Sequence, residues 1–518
     1  MTRSDRTQRD PAQVPSEGHA GEASRPPDGG QKWWALVASC LGTFMLLLDV
    51  TKVITALPQI ELRMGTTPAQ AEWVVNAYLL VMSATLLVFG TLADRFGHRR
   101  IFLIGLAAFT AASLGGGLAG DVGLLIASRA VQGAGGAMMY ATSLSLLAQN
   151  FHGRERGTAF GVWGAVTGLA TGLGPIVGGA LTSGMSWRAV LLINVPLGAV
   201  VILVTVLGVH ADRPTSAPKR VDAPGFVTFT VALLGLVFGI VRAGDASWSD
   251  GLALGSIAVG IAMIAAFILI ESRVAEPMFD LSLLRVPTFS GGLVAAFAMN
   301  GSLFAMFVTY AIYLQHGLGY GAFDAGLRLL VITGGTTVVS VIAGKLSGRV
   351  PVRWLIAPGL LVVGIGILLT ATVTADSGWI ALVPGFLIAG IGAGLVNPPL
   401  ASTAVGVVPP SAAGMASGIN STFRMFGQSL AIAVYGSILA AQLRSAGAGE
   451  PGEAAANTAN AAASTAANYS GALESVALIA GIVAIVGAVL SFVLIRTRDF
   501  VTVSLPAPRE QPAPRERS

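Results

Sequence analysis

Charged residues are scarce in this chain of 518 residues. Asp, Glu, Lys and Arg together make up 11% of it, whereas they make up about a quarter of a typical soluble domain. Hydrophobic residues make up 53%, and the mean hydropathy is +0.73. This composition excludes an ordinary soluble globular protein and indicates an all-α polytopic membrane protein.

Cysteine is almost absent, and so are the residue groupings that enzymes use. The single Cys40 excludes a disulfide framework and a cysteine metal site. The sequence has no Ser/His/Asp or Cys/His constellation and no phosphate-binding glycine loop before Lys-Ser/Thr. Its histidines are scattered, with His316 expected in a loop between helices. We therefore predict no enzyme, no catalytic residues, no metal site and no cofactor other than a proton gradient.

Basic residues are concentrated in short loops between apolar segments. The formal net charge is +5, but no continuous basic patch is present, so nucleic acid is not an expected partner. Lys and Arg occupy alternate loops, including those that contain Arg95, Arg154 and Arg353. By the positive-inside rule, this alternation predicts that both termini lie in the cytoplasm.

About fourteen apolar segments are long enough to span a membrane, for which about 20 residues are needed. A repeat organises them, because the loop at 90–99 is echoed at 344–353, eight segments later. Two loops that share arginines only for topology would also explain the echo. The prediction is two six-helix halves plus two inserted helices: a disordered cytoplasmic tail at 1–32, a first half at 33–209, a linker with the inserted helices at 210–289, a second half at 290–495, and a disordered cytoplasmic tail at 496–518.

Six short patterns occur in order along the chain. They are Asp49-Val-Thr51 leading to Leu57-Pro58, Gly90 to Arg100, Arg129-Ala-Val-Gln132-Gly133, Gly174-Pro175-Ile-Val-Gly178-Gly179, Ile193-Asn194-Val-Pro196, and Gly414 to Gly418 followed by Arg424. Together they resemble the major facilitator superfamily, specifically its fourteen-spanner branch of drug:proton antiporters. The resemblance extends from about residue 35 to residue 495 and implies the major facilitator fold.

Two of these patterns are implied by the resemblance to act in conformational change. The loop residues Gly90, Asp94, Arg95, Gly97 and Arg99 match the family's loop motif, which implies a conformational latch. A solvated loop that only sets the topology could have the same sequence. The residues Gly174, Pro175, Gly178 and Gly179 match the antiporter motif. Proline kinks a helix and glycines allow close helix contact, but glycine is common in membrane helices in any case.

Charged residues inside spans are the candidates for proton coupling. Asp49 and Arg129 have comparable depths in their helices, so we expect them to approach each other. A low-dielectric environment disfavours the charged form of a lone carboxylate, and Asp49 is therefore the predicted proton carrier. A purely structural pairing with Arg129 is the alternative.

Three further polar residues are assigned to a substrate cavity: Lys52, Gln132 and Arg424. Arg424 has an alternative role in helix–helix hydrogen bonding to backbone carbonyls. Lys52, where the related sequences usually carry an apolar residue, either extends to the membrane interface or faces the cavity. In the second case its ammonium would discourage cationic drugs and narrow the substrate range.

The residues and the resemblance together predict a proton-driven exporter of small amphipathic organic molecules, such as drugs or antibiotics. It would work by alternating access, as a monomer among the lipids of a bacterial cytoplasmic membrane. Two alternatives stay open at this point. A transporter of one specific metabolite would share the fold, and so would a membrane receptor or scaffold that transports nothing.

Overall fold

A computed structural model of the protein describes residues 31–151, 153–209, 222–275, 277–347, 349–408, 413–445 and 458–500. Most of these residues are helical. The α-helices in chain order are α1 (Gln31–Met64), α2 (Pro68–Phe96), α3 (His98–Gly117), α4 (Val122–Asn150), α5 (Gly153–Gly184), α6 (Trp187–Leu192), α7 (Asn194–Gly208), α8 (Ala223–Asp245), α9 (Gly251–Glu271), α10 (Pro287–Met299), α11 (Ala305–Ile312), α12 (Ala322–Leu346), α13 (Arg353–Thr370), α14 (Val383–Gly406), α15 (Ala413–Ser445) and α16 (Thr458–Leu494).

These sixteen helices form fourteen segments. Helices α6 and α7 follow each other as one segment, and α10 and α11 are joined through the π-helical turn Asn300–Phe304. Within the described residues, eleven segments are long and apolar enough to cross a membrane. The other three, α2, α4 and α5, contain 29, 29 and 32 residues, more than the roughly 20 that a span needs. The predicted all-α polytopic class is confirmed.

The predicted tails fall largely outside the described residues, which begin at residue 31 and end at residue 500. One part of the C-terminal prediction needs correction. Residues 496–500 were predicted to be disordered, but Asp499 accepts hydrogen bonds from the backbone N–H and the hydroxyl of Thr288, at 3.2 and 2.7 Å. These bonds cap the start of α10, where backbone N–H groups have no partner within the helix.

The helices pack in two groups with a pair beside them. In the first group α1 packs on α4, α5 and α7, and α4 packs on α2 and α3. In the second group α13 packs on α14 and α16, while α14 also contacts α12, and α10 contacts α15 and α16. Helices α8 and α9 pack on each other, and α8 lies against α2 and α15.

Two helix pairs carry most of the contact between the groups: α2 with α15, and α5 with α12. On the first pair, Ser429 Oγ hydrogen-bonds Asn76 Oδ1 at 3.0 Å, and the hydroxyl of Thr422 donates to the carbonyl of Ser83 at 3.3 Å. Small residues and shared side-chain hydrogen bonds are what hold helices together where lipid removes the hydrophobic driving force.

Helix α5 packs with glycines on two of its faces. On one face Gly174 and Gly178 lie against α1, with Gly178 touching the backbone of Lys52. On the other face Gly179 lies against the backbone of Ala322 on α12, and Gly326 of α12 lies against the carbonyl of Pro175. The motif therefore joins α1 to the second helix group, because α5 contacts both at this level.

We expect Gly178→Ala to lower the stability of the protein. A Cβ at this position meets the carbonyl oxygen and Cα of Lys52 and the hydroxyl of Thr55, and overpacking of this kind costs about 1–3 kcal/mol. The matched control is Gly184→Ala in the same helix, where a Cβ meets nothing within 4 Å. The thermal unfolding midpoint of the purified protein in detergent should fall for the first variant only. Equal midpoints for the two variants would contradict the tight packing.

Candidate functional site

A buried ion pair joins two spans of the first helix group. Arg129 Nη1 on α4 lies 2.5 Å from Asp49 Oδ2 on α1, and the two side chains are 1% and 0% exposed. Removing both charges from water costs several kcal/mol per ion, so such a pair persists only with good geometry and additional hydrogen bonds. The surrounding residues supply those bonds.

Three groups hold the guanidinium of Arg129 in place. Its Nε donates to the carbonyl of Val74 at 3.0 Å, and its Nη1 donates to Gln132 Oε1 at 2.8 Å. The guanidinium also lies over the ring of Tyr78, 4.4 Å from the ring centre, which adds a cation–π attraction. The side chain of Gln132, which was predicted to line a substrate cavity, is fully buried and supports Arg129 in this arrangement.

Lys52 lies in the same cluster. Its Nζ is 3.3 Å from Asp49 Oδ1 and donates a hydrogen bond to Asn194 Oδ1. The side chain is 0% exposed, and in this arrangement its ammonium faces Asp49 and Asn194. Residues three apart on a helix share a face, which brings Lys52 to Asp49.

Asn194 is a residue of this cluster to which no role was assigned from the sequence. Its amide nitrogen donates to Asp49 Oδ1 at 2.7 Å and to Ser113 Oγ at 3.0 Å. Gln132 Nε2 donates to the same hydroxyl. Asn194 begins α7 directly after the break at Ile193, and the motif around it was the signal that could have indicated its role. The network thus includes side chains from α1, α3, α4 and α7.

Charge in the cluster is unbalanced. Asp49 contributes one negative charge, while Arg129 and Lys52 each contribute a positive charge when protonated. All three are buried, so the cluster carries one positive charge in excess where water cannot screen it. An uncompensated charge of this kind is costly in a membrane interior and points to function.

Arg424 lies elsewhere. On α15, its Nη2 donates to Asn397 Oδ1 of α14 at 3.3 Å. Its Nε is buried with no hydrogen-bond partner among the described residues. The observed contact is therefore between helices, as one of the two predicted roles required, but it is made to a side-chain amide and not to a backbone carbonyl.

The residues of the predicted latch lie at the junction of α2 and α3. Gly97 separates the two helices and has a φ of 93°, a value that residues with a Cβ rarely adopt. Arg99 donates to the carbonyl of Val206 at 2.9 Å and so ties α3 to the end of α7. Arg95 is exposed, and the side chain of Asp94 lies outside the described residues. A Cβ at Gly90 would meet nothing within 4 Å.

A cavity of about 60 Å³ lies between the two helix groups, at the end of the bundle where α1 turns into α2. Its titratable lining residues are Glu61 and Glu72 of the first group, and His316, Tyr435 and Tyr469 of the second. The sequence prediction placed His316 in a loop. Instead it lies in the π-helical turn Tyr313–Gly317, and its ring stacks on that of Tyr469 with 6.0 Å between ring centres.

We expect Arg129→Met to destabilise the protein more than Lys52→Met. The first change leaves an oxygen of Asp49 and the carbonyl of Val74 without their donor, and breaking a buried pair costs about 3–5 kcal/mol. The second change leaves the Asp49–Arg129 pair intact and removes the excess charge. Thermal unfolding midpoints in detergent measure the difference, with Arg328→Met, which changes an arginine outside the cluster, as the control. A larger loss for Lys52→Met would contradict this account of the charges.

Comparison with known proteins gives several relatives of similar length. The chain is 34% identical over 430 residues to the tetracenomycin C resistance and export protein of Streptomyces glaucescens, covering 82% of this chain and 79% of that protein. It is 32% identical over 494 residues to the puromycin resistance protein pur8 of Streptomyces alboniger, covering 94% and 95%. It is 34% identical over 412 residues to the multidrug resistance protein Stp of Mycobacterium tuberculosis, covering 79% and 76%.

Solved structures agree on the fold. The chain is similar to a bacterial homologue of the human lysosomal transporter Spinster in an inward-facing, unoccupied conformation, with a TM-score of 0.63 and 18% identity, covering 92% of this chain and 100% of that one. The family model of the Major Facilitator Superfamily matches residues 39–432. By this match and by its relatives, the chain belongs to the Major Facilitator Superfamily.

Proposed function

We propose that this protein is a drug or antibiotic exporter driven by proton influx. The observation that carries the proposal is the buried cluster of Asp49, Arg129 and Lys52, which provides ionisable groups inside the membrane-spanning region. Such groups mark proton relays in transporters. The chain is also about a third identical to proteins named for resistance to, or export of, tetracenomycin C and puromycin, which favours an organic substrate.

Alternating access is the proposed mode of transport. The two moving bodies are residues 33–209 and 290–495, and residues 210–289 carry the inserted helices. Helix α5 lies between α1 and α12, so a rocking motion of one body against the other changes the packing beside the proton-coupling cluster. The latch residues around Gly97 lie at the opposite end of α2 from the cavity. Their proposed task is to hold that end closed.

The proposed setting is a bacterial cytoplasmic membrane, with both termini inside and the protein acting as a monomer. The concentration of Lys and Arg in alternate loops supports this orientation. Protons and membrane lipids are the other proposed partners. In this orientation the cavity lies at the outer end of the bundle, and the latch lies at the cytoplasmic end.

The substrate is proposed to be an amphipathic cation. Two carboxylates, of Glu61 and Glu72, and the aromatic rings of Tyr435 and Tyr469 line the cavity, and both kinds of group attract cations. Lys52, which was expected to discourage cations, is buried in the cluster and does not line this cavity. At about 60 Å³ the space is smaller than the roughly 300–1,000 Å³ of drug sites, so the cavity must enlarge during transport.

We expect Asp49→Asn to abolish efflux driven by a pH gradient. The change removes the charge that Arg129 and Lys52 share, and the cluster loses its only carboxylate. The measurement is drug efflux from vesicles that contain the purified protein, after the unfolding midpoint has shown that the variant is folded. Asp324→Asn, which changes a side chain that is 58% exposed, is the control and should transport normally. Wild-type rates in folded Asp49→Asn would overturn the proposed role of the cluster.

We expect Glu61→Gln to weaken the transport of cationic substrates only. Loss of one cavity carboxylate should raise the concentration of a cationic dye that gives half-maximal efflux by about tenfold, which corresponds to about 1.4 kcal/mol. A neutral substrate should be unaffected, because it gains little from the carboxylate. Glu474→Gln changes an exposed residue of α16 that does not line the cavity and serves as the control. An equal effect on both substrates would contradict the cation assignment.

A further inference from the structure

The number of charges around Asp49 limits which group can take part in proton exchange. The carboxylate faces Arg129 through one oxygen, and Lys52 and the amide of Asn194 through the other. If Asp49 gained a proton while both cations stayed charged, the buried cluster would hold two positive charges and no negative one. If Lys52 lost a proton instead, the cluster would become neutral. Low-dielectric surroundings favour the second change, since they penalise unbalanced charge.

The neighbours of Lys52 leave no other partner for the extra charge. Asp49 on α1 and Arg129 on α4 are the charged groups that face it among the described residues. From α7 it meets the neutral amide of Asn194. From α5, Gly174 and Gly178 lie against its backbone and have no side chains. Nothing in this part of the chain therefore compensates the second cation.

We propose that Lys52 is the group that exchanges the transported proton, while Asp49 stays ionised and holds Arg129. This inference rests on the proposed function of proton-coupled export. An arginine cannot take this part, because its guanidinium stays protonated in proteins, whereas a buried lysine can lose its proton. The lysine of the first span is thus the group on which coupling depends.

The proton step is simple to write. An N–H bond of the Lys52 ammonium breaks, the electron pair stays on Nζ, and the proton passes to water on the side to which the cluster opens. The neutral amine still donates to Asn194 Oδ1, so the hydrogen bond survives the change. On the other side of the membrane Nζ takes a proton from water, which restores the excess charge.

Helix α5 provides the structural link between this step and the movement of the two helix groups. Gly178 touches the backbone of Lys52, and one position further along α5 Gly179 touches α12. Lys52 is fully buried in the present arrangement. A shift of α5 with α12 would therefore uncover the backbone beside Lys52 and admit water to its ammonium.

The charge state of Lys52 can be followed directly, without knowledge of the substrate. The chain contains four lysines, Lys32, Lys52, Lys219 and Lys345, so wild-type protein labelled with ¹³Cε-lysine gives a simple NMR spectrum. Single arginine substitutions of the other three assign the Lys52 signal by elimination, without altering the site. We expect only this signal to move between about pH 6 and pH 8.5, a range in which ordinary lysines stay charged. A Lys52 signal that stays at the position of an ammonium throughout overturns the inference.

Transport by two matched variants provides the second test. In vesicles loaded with labelled puromycin, Lys52→Arg keeps the positive charge but cannot release a proton, and Lys52→Gln has no charge to release. Both should lose efflux driven by the pH gradient by at least about tenfold, while downhill exchange of puromycin across the membrane continues. Lys32→Arg is the matched control and should remain coupled.

The outcomes separate this inference from the proposed function. Coupled transport in the wild type together with coupled transport in Lys52→Arg overturns the role of Lys52 alone. Wild-type vesicles that show no response of puromycin efflux to a pH gradient contradict the proposed function, and the role of Lys52 falls with it. Loss of coupling in Lys52→Arg with retained downhill exchange, together with a titrating Lys52 signal, supports both.

Discussion

The contact between Asp49 and Arg129 is the interaction around which the first helix group is arranged. Each charge alone would be too costly inside the membrane-spanning region, and the pair is stable only with further hydrogen bonds. Val74, Gln132 and Asn194 supply those bonds from three different helices. The cluster therefore constrains how α1, α2, α4 and α7 are placed relative to one another.

The excess charge of Lys52 distinguishes this cluster from a simple ion pair. A neutral pair can serve structure alone, whereas a second cation in the same small volume is electrostatically unfavourable, and the loss of a proton or a conformational change that admits water can relieve it. Helix α5 connects this charge to the interface with the second group, since its glycines touch α1 on one face and α12 on the other. Helix α5 thus contacts both the helix that carries Lys52 and the second helix group.

The sequence alone determined the class of the protein, because the membrane imposes simple requirements. A membrane span needs about 20 apolar residues, and its backbone hydrogen bonds must be made within the protein. Helices meet both requirements for the segments of this chain. Scarce charge, fourteen apolar segments and six ordered motifs therefore predicted the all-α class and the family. The shared depth of Asp49 and Arg129 followed from residue counting along helices of constant rise.

Only the tertiary structure decided what each polar side chain faces. Helical periodicity shows which residues share a face, as with Asp49 and Lys52, but it does not say which neighbouring helix lies there. The direction of Lys52, the joining role of Asn194 and the burial of Gln132 depend on how α1, α4 and α7 are rotated and how far apart they lie. The cavity lined by Glu61 and His316 likewise forms between two helix groups that are far apart in sequence. A local sequence pattern does not predict which distant helices pack together.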